Sequence, residues 1–189
     1  MAIFRIDNLS IFVLSLNLMD MSDKIFNRLL QFSLFFMALW FFGNLYEELV
    51  LIPNQLTDCY GKLQHWQQFF TITNPMYFYV PFTQLAVIVI CILHFRVSDI
   101  KQKEFLKKAS VFGVSAIIIT GIIVTQINLK IFFGDLNKYK DQLFTLSVIW
   151  LIGNAIRLYL VWNSLYYIFK TYILRQGKTS NTEHDLLSN

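Results

Sequence analysis

Four long apolar stretches, separated by polar segments, set the pattern of this chain. They cover about residues 29–52, 76–95, 109–127 and 143–169. An α-helix rises about 1.5 Å per residue, so about 20 apolar residues cross the hydrocarbon core of a bilayer. The pattern therefore predicts an all-α fold: a polytopic membrane protein whose four transmembrane helices form one bundle.

The polar segment of residues 55–74 has a helical pattern of its own. Its apolar side chains recur at steps of four, three, three and four residues, at Leu56, Tyr60, Leu63, Trp66 and Phe70. That spacing places them on one helical face, and the opposite face is polar. We expect an amphipathic helix in the outer loop, lying in the membrane interface over the mouth of the bundle.

The two ends of the chain differ from the middle. The apolar run at residues 9–19 is too short to span a bilayer, so residues 1–24 are predicted to be an interfacial or disordered extension. Residues 25–169 form the predicted membrane domain. Residues 170–189 are polar and are predicted to be a disordered cytoplasmic tail.

Composition and charge agree with a membrane protein. The chain is 56% hydrophobic and 15% charged, whereas a soluble domain carries about 25% charged residues. Its net charge of +4 comes from loop lysines and gives no support for nucleic-acid binding. With both termini in the cytoplasm, eleven Lys and Arg residues lie on the inner side and four on the outer side. This positive-inside bias favours that orientation, with the lipid bilayer as the main partner.

Known cofactor and metal patterns are missing from the sequence. Cys59 and Cys91 form no CxxC pair and belong to different depths, so both are predicted to be free thiols. Nucleotide-binding loops and zinc-binding spacings are also missing. We therefore predict no cofactor and no metal site.

Polar groups gather near the end of the first stretch. Asn44 lies three and four residues before Glu47 and Glu48, so one helical face carries all three, with Tyr46 beside it. A charged side chain costs about 2.5–3.5 kcal/mol at the centre of a membrane helix, so such groups face partners or water. Pro53 is predicted to end this helix.

The last stretch carries a matching basic group. Arg157 lies near its middle, on one face with Asn154 and Trp150. Glu47 and Glu48 are the acidic residues within the predicted spans, so pairing Arg157 with one of them is the economical hypothesis. The helical rise places Glu47 about 8 Å and Arg157 about 20 Å below the outer ends of their spans, so the depths do not match well.

Two interpretations of this cluster remain open: a polar contact that joins two helices, and a pocket for a substrate or ion. For His65, an interfacial residue and a general base or metal ligand both remain open. On the pocket interpretation, the candidate catalytic residues are Glu47, Glu48 and Arg157. The candidate binding residues are the polar and aromatic side chains expected around them: Asn44, Tyr46, Asn54, His65, Trp66, Tyr77, Trp150 and Asn154.

Four short segments carry a resemblance to a known family. Residues 44–54 (NLYEELVLIPN), 73–81 (TNPMYFYVP), 128–134 (NLKIFFG) and 154–157 (NAIR) resemble small bacterial four-helix membrane proteins of the anthrone-oxygenase-like group. Many members have unknown function, and fungal relatives are associated with cofactor-free oxygenation of anthrones to anthraquinones. The resemblance covers about residues 24–169. It implies a bacterial cytoplasmic membrane protein and an aromatic-substrate pocket around Tyr46, Glu47, Glu48, His65, Asn154 and Arg157.

Three functions fit these observations, and whether the chain is an enzyme stays open. The first is binding or oxidation of an apolar aromatic or quinone-like molecule, with a carboxylate as base and Arg157 and Asn154 stabilising an oxyanion. The second is a non-catalytic subunit, or a homo-oligomer, that docks a protein through Leu63, Trp66 and Phe70. A proton-coupled transporter ranks last because internal repeats and broken helices are not evident.

Overall fold

The computed structural model describes residues 22–187, with side chains to Gly177, and this part of the chain contains helices and no strand. We number the helices α1 (Asp23–Leu56), α2 (Cys59–Phe69), α3 (Pro75–Arg96), α4 (Ile100–Ile131) and α5 (Leu143–Leu187). A short 3-10 helix, Leu136–Gln142, precedes α5. The helices α1, α3, α4 and α5 are long and apolar enough to cross a membrane. The prediction of an all-α bundle with four such helices is confirmed.

The four long helices pack in a ring in the order α1, α3, α4, α5, so that α1 lies diagonally opposite α4. Close approach and interhelical hydrogen bonds hold helices together in lipid. A Cβ at Gly113 of α4 would lie 3.1 Å from Val87 of α3, which shows how closely these helices approach. Ser164 Oγ of α5 donates to the Ala109 carbonyl of α4 at 2.9 Å. Outward-facing apolar side chains such as Phe35, 62% exposed, give the bundle a lipid-contacting surface.

The helix α2 covers one end of the bundle, which we call the α2 end. Leu63 is 1% exposed, and Trp66 and Phe70 are half-buried, so the predicted apolar face is turned inward. Tyr60 donates to Asn137 Oδ1 at 2.8 Å, and Gln67 donates to the Gly134 carbonyl at 3.0 Å. The predicted amphipathic helix is therefore confirmed over Cys59–Phe69, whereas Leu56, predicted on its apolar face, belongs to α1. The connection before α5 holds α2 in place.

At the opposite end of the bundle, Arg175 of α5 connects the helices to one another. Its Nη2 and Nε donate to Asp23 Oδ1 at 2.6 Å and to Asn27 Oδ1 at 2.7 Å, both on α1. Its Nη1 donates to Gln102 Oε1 of α4 at 3.3 Å, and its guanidinium lies 4.1 Å from the ring centre of Phe26. One side chain thus connects three helices.

Several helices are longer than the apolar pattern predicted. The helix α1 continues through Pro53 to Leu56, and a wide π-helical turn, Glu47–Leu51, ends one residue short of the proline, before Ile52. A proline ring clashes with a carbonyl in a regular helix, and the wider turn leaves room for it. The helix α4 begins at Ile100, where the Asp99 side chain accepts from the Gln102 N–H at 2.9 Å. The basic segment between the second and third spans is therefore mostly helical.

The C-terminal end of the chain differs from the prediction, and most of the N-terminal end is not described by the structure. The last helix continues from Leu143 to Leu187, so the segment predicted to be a disordered tail extends α5. Residues 1–21 lie outside the described part of the chain, and the predicted extension stays a prediction there. Cys59 and Cys91 are both free, as predicted.

A second π-helical turn, Val124–Asn128, lies in α4. Both π-helical turns are near the α2 end, on helices that face each other diagonally. Such turns occur frequently at functional sites. The space between these two turns is where the polar residues of α1 and α5 meet.

Candidate functional site

A cavity of about 260 Å³ lies inside the bundle at the α2 end, and all five helices contribute to its lining. Both π-helical turns contribute, through Glu47, Leu51, Val124 and Asn128. The widened turns sit on diagonal helices, so they help to keep the centre of the bundle open. The aromatic and polar lining side chains include Trp40, Asn44, Glu47, Trp66, Tyr79, Thr83, Gln84, Thr120, Asn128, Phe132, Trp150 and Arg157.

Arg157 and Glu47 form an ion pair at the cavity wall. Arg157 Nη2 lies 3.4 Å from Glu47 Oε2, with the two side chains 8% and 26% exposed. The predicted mismatch in depth was too large, because α1 continues past Pro53 and Glu47 therefore lies deeper below the end of its helix. The long arginine side chain covers the remaining difference. The structure thus supports Glu47 as the direct partner among the two glutamates.

Asn154 connects both glutamates to Arg157. Its side chain is fully buried. Its Nδ2 donates to Glu48 Oε2 at 2.7 Å and to the backbone carbonyl oxygen of Asn44 at 3.3 Å. Its Oδ1 accepts from Arg157 Nε at 3.1 Å and also from Arg157 Nη2. A continuous chain of hydrogen bonds therefore runs from Glu48 through Asn154 and Arg157 to Glu47.

The two glutamates occupy different positions. Glu47 lines the cavity, whereas Glu48 lies outside the lining and contacts Asn154 in the seam between α1 and α5. Adjacent helical residues point about 100° apart, which accounts for the separation. The geometry thus places Glu47, and not Glu48, where it can contact a bound molecule.

Aromatic rings close the cavity beneath α2. The ring centre of Phe132 lies 5.4 Å from Trp66 and 6.4 Å from Trp150. Trp150 Nε1 donates to Asn128 Oδ1 at 2.8 Å, and its ring lies 5.9 Å from the Arg157 guanidinium carbon. The rings therefore form an apolar roof that also contacts the positive charge of Arg157.

Tyr79 of α3 forms part of the wall facing α1. A Cβ at Gly43 would lie 3.2 Å from Cε1 of the Tyr79 ring, closer than ordinary contact. The missing side chain of Gly43 therefore allows the ring to lie against α1. Tyr77, which was predicted as a binding residue, is 64% exposed and lies outside the cavity.

Two buried N–H donors of cavity residues have no acceptor among the described residues: Asn44 Nδ2 and Trp66 Nε1. Asn44 is 5% exposed, and both side chains belong to the lining. Buried donors are nearly always satisfied by protein, water or ligand, because leaving one unpaired costs about 1–3 kcal/mol. These donors suit a bound molecule that carries oxygen acceptors.

The remaining predicted residues divide between the rim and the surface. Asn54 lies at the rim, where its Nδ2 donates to the Val50 carbonyl at 2.7 Å. Tyr46 is 55% exposed and lies outside the cavity lining. His65 is exposed in a shallow groove on α2 with Lys62 and Gln68.

Some residues of the cavity lining were not predicted from the sequence. Thr120, Val124 and Asn128 recur every four residues on α4 and share a face. The available signal was the two polar members of that face, Thr120 and Asn128, inside and at the end of an apolar stretch. The roles assigned to the predicted site residues remain predictions. Within the described residues, no three His, Cys, Asp or Glu side chains come together as a metal site would require.

Chemically, the site joins one carboxylate and one guanidinium inside a largely apolar, aromatic cavity. A carboxylate in such a position can accept a proton, and a buried guanidinium can stabilise an oxyanion. Comparison with known proteins found no matching family model, no matching curated protein and no matching solved structure.

Proposed function

We propose that the cavity binds a small aromatic molecule that carries oxygen acceptors, of the phenol, anthrone or quinone class. The observation that carries this proposal is the Glu47–Arg157 pair, which faces an otherwise apolar and aromatic cavity. Apolar pockets with few, well-placed polar groups are typical of small-molecule sites. The resemblance to the anthrone-oxygenase-like group points to the same class.

The size of the cavity agrees with such a ligand. A dry protein cavity of about 150 Å³ binds benzene. The cavity here is about 260 Å³ and has room for a larger aromatic system. Trp66, Trp150 and Phe132 would stack on its rings, and the unpaired donors of Asn44 and Trp66 would meet its oxygens.

The chemistry we infer is proton transfer. The Glu47 carboxylate accepts a proton from a phenolic O–H or an activated C–H bond, and Arg157 stabilises the negative charge that develops on oxygen. Reaction of such a carbanion with O₂ and loss of water would convert CH₂ to C=O, the oxygenation that the family resemblance implies. Asn154 is a positioning residue, because it holds Arg157 through two hydrogen bonds.

We also propose in which membrane the protein resides and how it is oriented there. The bias of basic residues favours both termini in the cytoplasm, and the resemblance favours a bacterial cytoplasmic membrane. The α2 end and its cavity then face outward. Accessibility of a single cysteine at exposed Gln68, in a Cys59→Ser, Cys91→Ser background, to an impermeant thiol reagent in intact cells tests this orientation.

Quenching of tryptophan fluorescence tests binding directly. Three of the four tryptophans, Trp40, Trp66 and Trp150, line the cavity, and Trp162 is 50% exposed. Trp162→Phe therefore removes the fluorescence of the one tryptophan that does not line the cavity. The probe is a naphthoquinone with methyl groups on both free quinone carbons, which prevents addition of the thiols of Cys59 and Cys91.

We expect saturable quenching in lipid nanodiscs, weakened about tenfold by Arg157→Gln, because the guanidinium is a donor to a quinone oxygen; tenfold corresponds to about 1.4 kcal/mol. The matched control is Tyr46→Phe, since Tyr46 is exposed and outside the lining. Quenching that rises linearly without saturation, or that Arg157→Gln leaves unchanged, would contradict the proposal.

A protein-docking subunit is the second candidate. The structure turns Leu63 inward, at 1% exposed, and leaves Phe69 and Ile72 exposed at 78% and 96%. A docking surface would therefore use Phe69 and Ile72 in place of Leu63, Trp66 and Phe70. Loss of function on Phe69→Ser, with no effect of Glu47→Gln, would favour this candidate.

A further inference from the structure

We propose that the cavity opens sideways into the bilayer between α3 and α4, and that its ligand carries an alkyl tail that remains in the lipid. This inference rests on the proposed function and deepens it, because it defines the ligand class further. The ligand is an amphipathic molecule with an aromatic, oxygen-bearing head and an aliphatic tail.

The first observation concerns the packing of α3. All of its buried residues lie between Thr83 and Leu93, and none lies in the part from Pro75 to Phe82. The helix is therefore packed closely into the bundle over its second half, whereas over its first half it keeps contact with α1, through Tyr79 against Gly43, without burying a residue. Pro81, which cannot donate a backbone hydrogen bond, lies close to the boundary.

The second observation is the changing fit between α3 and α4. At Gly113 of α4, an added Cβ would lie 3.1 Å from Val87 of α3. At Gly121, two turns closer to the α2 end, an added Cβ would have no atom within 4 Å. The seam between the helices is therefore tight in one half and open at the level of the cavity.

Gln84 provides the third observation. It lines the cavity and is also exposed on the outer surface, so its side chain stands where the cavity meets the exterior. It lies nine residues into α3, about 14 Å along the helix, a depth that corresponds to hydrocarbon. Its amide makes no hydrogen bond within residues 22–177. A polar side chain at that depth is costly unless it faces a partner, and the polar head of a passing ligand provides one.

The α2 end offers a less suitable exit for an alkyl tail. The roof formed by Trp66, Phe132 and Trp150 covers the cavity there, and the rim beyond it is polar, with Asn54 and Lys62 exposed. On the α3–α4 side, the neighbouring exposed residues are apolar, including Leu85 and Ile122. An aliphatic tail is therefore more stable on the lipid side.

The test uses two probes with the same head: the dimethylnaphthoquinone described above and an analogue in which one methyl is replaced by a decyl chain. Both are titrated against the full chain carrying Trp162→Phe, in lipid nanodiscs, with tryptophan quenching as the readout. The blocking variant is Gly121→Phe, at a position outside the cavity lining with open space beside it. The matched controls are Leu85→Phe and Ile122→Phe, since those positions are 45% and 53% exposed on the neighbouring surface.

We expect both probes to bind, and Gly121→Phe to weaken the decyl probe about tenfold or more while it leaves the dimethyl probe unchanged. The thermal unfolding of each variant confirms that it is folded. Binding of the dimethyl probe without binding of the decyl probe overturns the lateral opening and leaves the proposed function intact. Equal effects of the blocking and control variants also overturn it. Failure of both probes to bind overturns the proposed function itself.

Discussion

Asn154 on α5 donates to Glu48 on α1 at 2.7 Å, and the other end of the same amide accepts from Arg157. A carboxylate only accepts hydrogen bonds and a guanidinium only donates them, so both neighbours require the same orientation of the amide. Glu48 therefore helps to set the direction of Arg157 without reaching the cavity. The acid that contacts a ligand and the acid that orients the arginine are two different residues.

Asn154→Asp tests this orientation. The new carboxylate has no N–H group, so it faces Glu48 with like charge and leaves the Asn44 carbonyl without its donor. We expect a loss of about 1–3 kcal/mol of unfolding free energy, measured by denaturation in detergent micelles. Asn163→Asp is the control, because the side chain of Asn163 donates to the Tyr159 carbonyl on its own helix and not across to α1 within the described residues. Equal losses in both variants would contradict the role of Asn154.

The separate positions of the glutamates predict separate effects on binding. Glu47→Gln replaces an acceptor-only carboxylate that faces the cavity with an amide that can donate to a quinone oxygen, so it should strengthen binding of the naphthoquinone probe about tenfold. Glu48→Gln keeps a carbonyl oxygen that can accept from Asn154, so its affinity should stay within about twofold of the starting protein. Tryptophan quenching measures both. An affinity change of the same size in Glu48→Gln would mean that Glu48 also contacts the ligand.

A double-mutant cycle measures the coupling between Glu47 and Arg157. Breaking a fully buried ion pair costs about 3–5 kcal/mol, but Glu47 is 26% exposed and the contact is 3.4 Å long. We therefore expect Arg157→Gln to cost about 1–3 kcal/mol in unfolding free energy, more than a surface pair and less than a buried one. Adding Glu47→Gln should recover part of that loss. A strictly additive double variant would show that the two residues do not interact.

Arg175 provides a test at the opposite end of the bundle. Lysine carries a compact ammonium and cannot replace a planar guanidinium that bonds Asp23, Asn27 and Gln102 together. Arg175→Lys should therefore lower the unfolding temperature while the affinity for the naphthoquinone probe stays the same. Lys170→Arg at an exposed position of the same helix is the control. A change in probe affinity would indicate that the two ends of the bundle are coupled.

Apolar periodicity was sufficient to predict the fold. The four membrane-crossing helices, the amphipathic α2 and the inward face of Leu63 all follow from spacing, because burial and lipid contact both select apolar side chains. The exact helix ends did not follow. Hydropathy misses the polar first turns of α4, and it does not reveal the π-helical turn that leaves room for Pro53 within α1.

The candidate site was predicted in part. The pairing of Arg157 with a glutamate follows from the high cost of isolated charges in hydrocarbon. Sequence reasoning could not separate Glu47 from Glu48, because a π-helical turn begins at Glu47 and changes which residues face inward. Tyr77 and Tyr79 look alike in sequence, yet Tyr79 reaches the cavity by lying against Gly43, a contact between distant segments.

The two π-helical turns make the cavity sensitive to chain length. A π-helical turn closes its hydrogen bond one residue later than an α-helical turn, so each one holds a residue that a regular helix would not need. Deleting one residue within Glu47–Leu51 or Val124–Asn128 would remove this extra residue and restore a regular helix, while the flanking parts of the helix keep nearly the same faces toward the lipid. During evolution, single-codon insertions and deletions at these two places could therefore open or close the cavity while the membrane-facing surface stayed apolar.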